Sequence, residues 1–261
     1  MVDGPDSALT MTANTQPALM AFSMAVVRVL EKDFGIKLKE KAAFVAGHSL
    51  GEYSAACSAG VFSLSDTAKL LRIRGDAMQN AVPLGVGGMA AVLGLSYKDV
   101  GALVEACSND KDVCVAANDN SDGQVVLSGS MTAIDRAVEI AAEFGARKCV
   151  KLAVSAPFHS PFMRPAADAM ARAFMDVEAH DAEIPLVANV LAEPITDHKE
   201  IIKHLIEQVT GTVRWRETMA YLQEQGVTDL VELGAGKVLS GIAKRSHKEM
   251  NAFSVGSVED I

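Results

Sequence analysis

The sequence predicts an α/β protein: a larger domain with a mostly parallel sheet covered on both faces, carrying a small inserted βαββαβ subdomain. Three observations predict it. Short apolar runs alternate with helical stretches over most of the chain. Between residues 86 and 152 the alternation tightens into strand, helix, two strands, helix, strand, which is the split ferredoxin-like order. Finally, Ala42–Ala59, reading AAFVAGHSLGEYSAACSA, sets a serine between an apolar run and an Ala-rich helix. The larger domain is therefore expected from residues 1–85 and 153–261, and the inserted one from 86–152.

Each element has a local reason. Thr15-Gln16-Pro17-Ala18 opens a helix to about Leu30, with Pro17 expected in the first turn, where a missing N–H does no harm. Ala42–Ala46 reads as a short buried strand, and Gly47-His48-Ser49-Leu50-Gly51 as a sharp turn in which both glycines avoid a Cβ collision. Ser63-Leu64-Ser65-Asp66 starts a helix to about Val82. Met89–Leu95, Val113–Ala117, Val125–Ser128 and Arg147–Val154 read as strands, and Tyr97–Cys107 and Met131–Phe144 as helices. Asn118–Gly123 is expected to be the turn between the middle strands. Ser155–Pro161 returns the chain to the larger domain, where helices over Phe162–Val177, His198–Val209 and Trp215–Gln225 alternate with strands over Pro185–Val190, Asp229–Leu233 and Ala252–Val255. Gly234-Ala235-Gly236-Lys237 lacks phosphate-loop spacing and reads as a strand-to-helix turn before a helix ending near Arg245.

Composition narrows the function. Hydrophobic residues are 49% of 261, enough for a sizeable core. A formal charge of −9 argues against nucleic acid or anionic lipid as the main partner. Cys57, Cys107, Cys114 and Cys149 form no C-x-x-C pair and no histidines lie at metal-ligand spacing, so no metal is expected and the thiols read as reduced, mostly buried residues of an intracellular protein. The start, MVDGPDSALTMT, lacks signal-peptide character, and the longest apolar stretch, Ala18–Val27, is too short to span a bilayer.

Three side chains carry the chemistry. Ser49, at the apex of the turn, projects its hydroxyl where a base can reach it, and the N–H of Leu50 opens a helix without an intrahelical partner, free to donate to an oxyanion. The other reading of Ser49 is a helix cap. Arg74 falls within the apolar stripe of Leu70, Leu71, Ile73, Ala77 and Met78, where a guanidinium needs an anion, a buried acid or carbonyl groups, while Arg72 faces solvent. Of six histidines, His48 should point away from Ser49, and His180, His198 and His204 read as solvated; His247 sits in a charged surface run. His159, in a loop of small residues and Pro after a strand, is the candidate base, with a hydrogen-bonded loop histidine as the alternative. No Asp or Glu stands out as a third member; a backbone carbonyl could orient the imidazole.

Taken together, GHSLGEYSA, IRGDAMQ, SAPFHSPFM and VELGAGKVLSGIAKR, with TQPAL, NDNSDGQVVLSG and QVTGTVRW, resemble the malonyl-CoA:acyl-carrier-protein transacylases of fatty-acid synthesis, over nearly the whole chain and in order. The resemblance implies a hydrolase-like α/β domain with a ferredoxin-like insertion. It implies an acyltransferase working through a malonyl-serine intermediate, with malonyl-CoA and acyl carrier protein as partners and no resident cofactor. Ser49 would be the nucleophile, His159 the base, Leu50 an oxyanion donor through its N–H, and Arg74 the partner of the malonyl carboxylate. Gln208 would orient His159 through its backbone carbonyl. Asn118 and Asn120 would line the cleft between subdomains, and Phe158 resembles the malonyl-selective form of its motif. A cytoplasmic monomer is expected. Arg214, Arg216, Lys244 and Arg245 are candidates for meeting the acidic carrier protein, against the reading of a solvated charged surface. Family members begin with a strand and a P-G-Q-G-S-Q loop that supplies a second oxyanion donor; this sequence has no such motif, and loss of one donor implies a rate lower by about 10²–10³. A serine esterase or thioesterase, or a non-catalytic domain that binds the carrier protein, are the rival readings.

Overall fold

Serines start several of the helices. The computed structural model describes residues 4–154 and 156–261. Ser63, Ser96 and Ser130 each accept a backbone N–H of the first turn, at Asp66, Asp99 and Ala133, and so replace a missing intrahelical acceptor. The main helices are α1 (Thr12–Asp33), α2 (Gly51–Ser58), α3 (Leu64–Gln79), α4 (Tyr97–Cys107), α5 (Met131–Ile140), α6 (Arg164–Ala173), α7 (His198–Glu207), α8 (Trp215–Glu224) and α9 (Val238–Ser246).

Four strands, β1 (Gly87–Leu93), β2 (Cys114–Ser121), β3 (Gln124–Ser130) and β4 (Lys148–Lys151), pair antiparallel in the order β2-β3-β1-β4. Apolar side chains of this sheet and of α4 and α5, among them Val92, Leu103, Leu127 and Ile134, share one core. The chain order and strand order are those of a ferredoxin-like unit. Asn118–Ser121 are not a turn but the end of β2: two register shifts bulge the strand there, and the connection shrinks to Asp122-Gly123. The bulges use up the residues that read as loop.

The rest of the chain packs α2, α3, α6 and α7 around Tyr53, Leu71, Met163, Met170, Leu186 and Leu205. Parallel pairing occurs between β7 (Asp229–Leu233) and β8 (Asn251–Val255), and at one bridge from Val45 to Leu186. The Ala42–Ala46 strand is thus reduced to Val45, whose N–H donates to the Pro185 carbonyl and whose carbonyl accepts from Val187. The Pro185–Val190 strand shortens to β5 (Leu186–Val187), which turns back through β6 (Pro194–Ile195). Ser155 of the returning loop lies outside the described residues.

Three local readings are corrected. Helix α1 starts at Thr12, so Pro17 is in its interior; the Ala13 carbonyl, deprived of its donor, lies 3.5 Å from Arg72 Nη1. Ile73 is 40% exposed and stands outside the buried stripe of α3. His204 is buried on α7, paired with Glu200 and Glu207, rather than solvated. The close fit of α1 and α3 rests on Gly75, where a Cβ would lie 2.7 Å from the Ala13 Cα. That approach brings α1 close enough for Gln16 to reach Arg74.

Candidate active site

The site is built on a strained corner. Ser49 has φ 53°, the left-handed region that a non-glycine residue rarely adopts. Such a conformation persists only when surrounding groups over-determine it. Here the Ser49 N–H donates to Asn189 Oδ1 at 2.8 Å, Asn189 Nδ2 donates to the Gly47 carbonyl at 2.8 Å, and Gln208 Nε2 donates to the Ser49 carbonyl at 2.9 Å. The turn also needs Gly47, because a Cβ there would lie 2.0 Å from the Gly51 carbonyl oxygen. Gly51 differs from the expectation: a Cβ on it meets nothing within 4 Å. Only one glycine of the motif is sterically required.

The structure brings Ser49 and His159 together across 110 residues, with Oγ 2.7 Å from Nε2. His159 Nδ1 lies 2.8 Å from the Gln208 carbonyl oxygen. A carbonyl can only accept, so Nδ1 carries the proton and Nε2 is bare to accept from the serine hydroxyl. Burial, and then the positive charge of Arg74, push the His159 pKa down to about 3, against the Gln208 carbonyl, which raises it. The imidazole is therefore a neutral base at ordinary pH.

Arg74 is buried, 1% exposed, and points at the same hydroxyl: Nη2 lies 3.1 Å from Ser49 Oγ. Nη2 also donates to Gln208 Oε1 and Nη1 to Gln16 Oε1, both at 2.7 Å, and the guanidinium carbon lies 5.5 Å from the centre of the Tyr53 ring. Every oxygen it bonds in these contacts is neutral. The Nε has no partner among the described residues. A buried cation held by neutral acceptors keeps its charge available for an incoming anion.

Four contributors escaped the sequence reading: Gln16, Asn189, the side chain of Gln208, and Glu52. Glu52 is buried and accepts from Gln208 Nε2 at 2.6 Å and from the Asn189 N–H at 3.3 Å. Burial pushes its pKa up to about 8, opposed by the Gln208 and Asn189 donors and the charge of Arg74. The available signal was a Glu directly after the serine motif, facing the core side of an Ala-rich helix.

The N–H of Leu50 has no acceptor among the described residues, as an oxyanion donor requires. Asn120 Oδ1 lies 2.8 Å from His48 Nε2, and the His48 ring packs on Trp215, so His48 is turned away from the base position. Asn118 sits on the same strand, bridged to Val213. Together with the Asp119–Arg216 pair these contacts tie β2 to the segment that supplies Gln208. Phe158 packs with Met89, Ala117 and Val126 and borders a groove of about 840 Å³ shared with Thr15, Val82 and Val154. Of the basic candidates, Arg216 is held by Asp119, and Arg214 by Glu217 and the Val190 and Leu191 carbonyls. Lys244 and Arg245 are exposed on α9.

A serine on a left-handed corner, a neutral imidazole on its hydroxyl and a free helix-opening N–H define a covalent acyl-transfer centre. The chain belongs to the acyl transferase domain family, whose model matches residues 1–259. It is 39% identical over 259 residues to the malonyl CoA-acyl carrier protein transacylase of Bacillus subtilis, covering 99% of this chain and 80% of that one. The crystal structure of the acyl-carrier-protein S-malonyltransferase of Bartonella henselae superposes with a TM-score of 0.96 at 52% identity, covering 99% of this chain and 82% of that one. A malonyl-transacylase solved in complex with a type II polyketide acyl-carrier protein superposes with a TM-score of 0.94 at 36% identity, covering 99% and 82%.

Proposed function

We propose that this chain transfers a malonyl group from malonyl-CoA to the phosphopantetheine thiol of acyl carrier protein, through an ester on Ser49, in fatty-acid synthesis. The observation that carries the reading is the meeting of His159 Nε2 and Arg74 Nη2 on one oxygen, Ser49 Oγ, at 2.7 and 3.1 Å. The base makes the hydroxyl a nucleophile, and the cation stands where the free carboxylate of a short dicarboxylic acyl group would lie.

Ser49 Oγ attacks the thioester carbonyl while its proton passes to His159 Nε2. The N–H of Leu50 takes one hydrogen bond of the oxyanion. The C–S bond breaks, and the imidazolium returns the proton to the departing CoA sulfur. In the second half the carrier thiol gives its proton to His159, its sulfur attacks the ester carbonyl, the C–Oγ bond breaks, and the imidazolium returns the proton to Ser49 Oγ. Gln208 holds the ring in one tautomer through both halves. The malonyl carboxylate compensates the Arg74 charge, the largest influence after burial that holds His159 down, so the correct substrate strengthens its own base. The chemistry asks for no resident cofactor: CoA brings the activated acyl group and the carrier protein brings its thiol. Asn118, Asn120 and Phe158 border the approach to the serine in this reading, and the protein works as a cytoplasmic monomer. None of its helices is long and apolar enough to cross a membrane, among the described residues.

Intact-mass measurement after incubation with malonyl-CoA, followed by holo carrier protein, tests the reading. A malonyl adduct on Ser49 that disappears as malonyl carrier protein forms supports it. No adduct, or an adduct lost only to water, overturns it.

A further inference from the structure

Arg74 poses a physical problem that its direct contacts do not solve. A fully buried guanidinium bonded only to neutral oxygens is costly, and an acid in direct contact would relieve the cost. Direct contact would also fill the fork that a substrate carboxylate needs and cancel its charge. The structure places an acid one residue further back. Glu52 Oε2 accepts from Gln208 Nε2 at 2.6 Å, and Gln208 Oε1 accepts from Arg74 Nη2 at 2.7 Å. The amide therefore stands between carboxyl group and guanidinium, with its oxygen toward the cation and its nitrogen toward a Glu52 oxygen. Hydrogen bonds in such a chain polarise one another. The same Nε2 donates to the Ser49 carbonyl, and the other carboxylate oxygen of Glu52 faces the N–H of Asn189, whose side chain takes the Ser49 N–H. One carboxyl group thus meets both the cation arm and the serine corner, without touching either directly.

We propose that Glu52 is a positioning residue of the transfer reaction, acting through the Gln208 side-chain amide to hold the Arg74 guanidinium beside Ser49 Oγ while leaving Nε–H and one Nη1 hydrogen unpaired for the substrate carboxylate. This inference rests on the transfer reading above for its effect on selectivity, and on geometry alone for the relay. Two substitutions bear on it in opposite ways. Glu52→Gln is nearly isosteric but offers one acceptor oxygen to two donors, so the amide of Gln208 loses its anchor or the Asn189 N–H does. Gln208→Glu brings a carboxylate directly onto Arg74.

The test measures the rate of Ser49 acylation by malonyl-CoA and by acetyl-CoA in the wild type and both variants, with melting temperatures alongside. In Glu52→Gln the malonyl-to-acetyl ratio is expected to fall by at least roughly tenfold, the scale of one charge-assisted hydrogen bond. In Gln208→Glu malonyl loading falls and acetyl loading falls less. Equal losses for the two acyl groups in Glu52→Gln, in step with the melting temperature, mean a purely structural carboxylate and overturn the inference. A crystal structure of Glu52→Gln needs no turnover. The inference expects Gln208 Oε1 and Arg74 Nη2 to move out of hydrogen-bond reach, and finding both unmoved overturns it even if the chain transfers nothing. Displacement of both in a chain that forms no acyl-serine supports the relay and counts against the transfer reading only.

Discussion

The imidazole of His159 and the main-chain carbonyl of Gln208 meet at 2.8 Å, and that contact decides which ring nitrogen is bare. No carboxylate is needed as a third member to orient the base. The arrangement also leaves the imidazolium without a neighbouring anion, so burial and Arg74 together keep the pKa near 3, far below the ordinary 6.5. Activity that requires the neutral ring should persist well below pH 6. At saturating acetyl-CoA, which leaves Arg74 uncompensated, the acid limb of the acylation rate should lie at lower pH than at saturating malonyl-CoA. Pre-steady-state acylation against pH with both thioesters checks this; coincident limbs would separate Arg74 from the base.

The same depression has a stability consequence. Between the unfolded value of 6.5 and the folded value of about 3, the unfolded chain binds the proton and the folded chain does not. Stability therefore falls as pH drops through that window. Replacing His159 with Gln should flatten this part of the curve, as read by melting temperature at stepped pH.

Arg74→Ala removes the only cation bonded to Ser49 Oγ among the described residues. A charge-assisted bond is worth about 1.5–3 kcal/mol, so the malonyl-to-acetyl preference should narrow by roughly 10- to 150-fold. Competition between the two thioesters for one enzyme sample measures it directly, and an unchanged preference would refute the role of Arg74.

The two glycines of the serine motif should behave differently. Gly47→Ala forces a Cβ to within 2.0 Å of the Gly51 carbonyl oxygen and should prevent the corner from forming, with a loss of stability of several kcal/mol at least, or no soluble protein. Gly51→Ala meets open space at the first residue of α2, where alanine is the better helix former, and should lie within about 1 kcal/mol of the wild type. Denaturant titration of both variants distinguishes them.

Asn189→Ala leaves the Ser49 N–H and the Gly47 carbonyl without their partners behind a strained serine. Each buried group left unpaired costs about 1–3 kcal/mol, so the variant should melt earlier and acylate more slowly with malonyl-CoA and acetyl-CoA alike. A malonyl-specific defect would place Asn189 with Arg74 instead of with the serine corner.

Much of this protein could be read from its letters because the signals are local. The serine corner is spelled by Gly47, Ser49 and the helix that follows, and Arg74 betrays itself by standing on the stripe that Leu70, Leu71 and Met78 bury. The helix start at Ser63 and the βαββαβ order follow from a capping residue and from periodicity. What the sequence leaves open is non-local. Asn118–Ser121 has turn composition yet lies in a strand, because β3 and Val213 supply partners on either side. Ala42–Ala46 has strand composition yet pairs only at Val45.

The sequence by itself singled out Ser49, His159 and Arg74, the first by its motif, the second by its loop and the third by a charge that conflicts with its apolar stripe. Only the tertiary structure decided that Glu52, Asn189, Gln16 and the side chain of Gln208 hold them. Their contacts join helices and loops far apart in the chain, and a buried hydrogen bond between distant polar side chains leaves no period, spacing or composition by which it could be read.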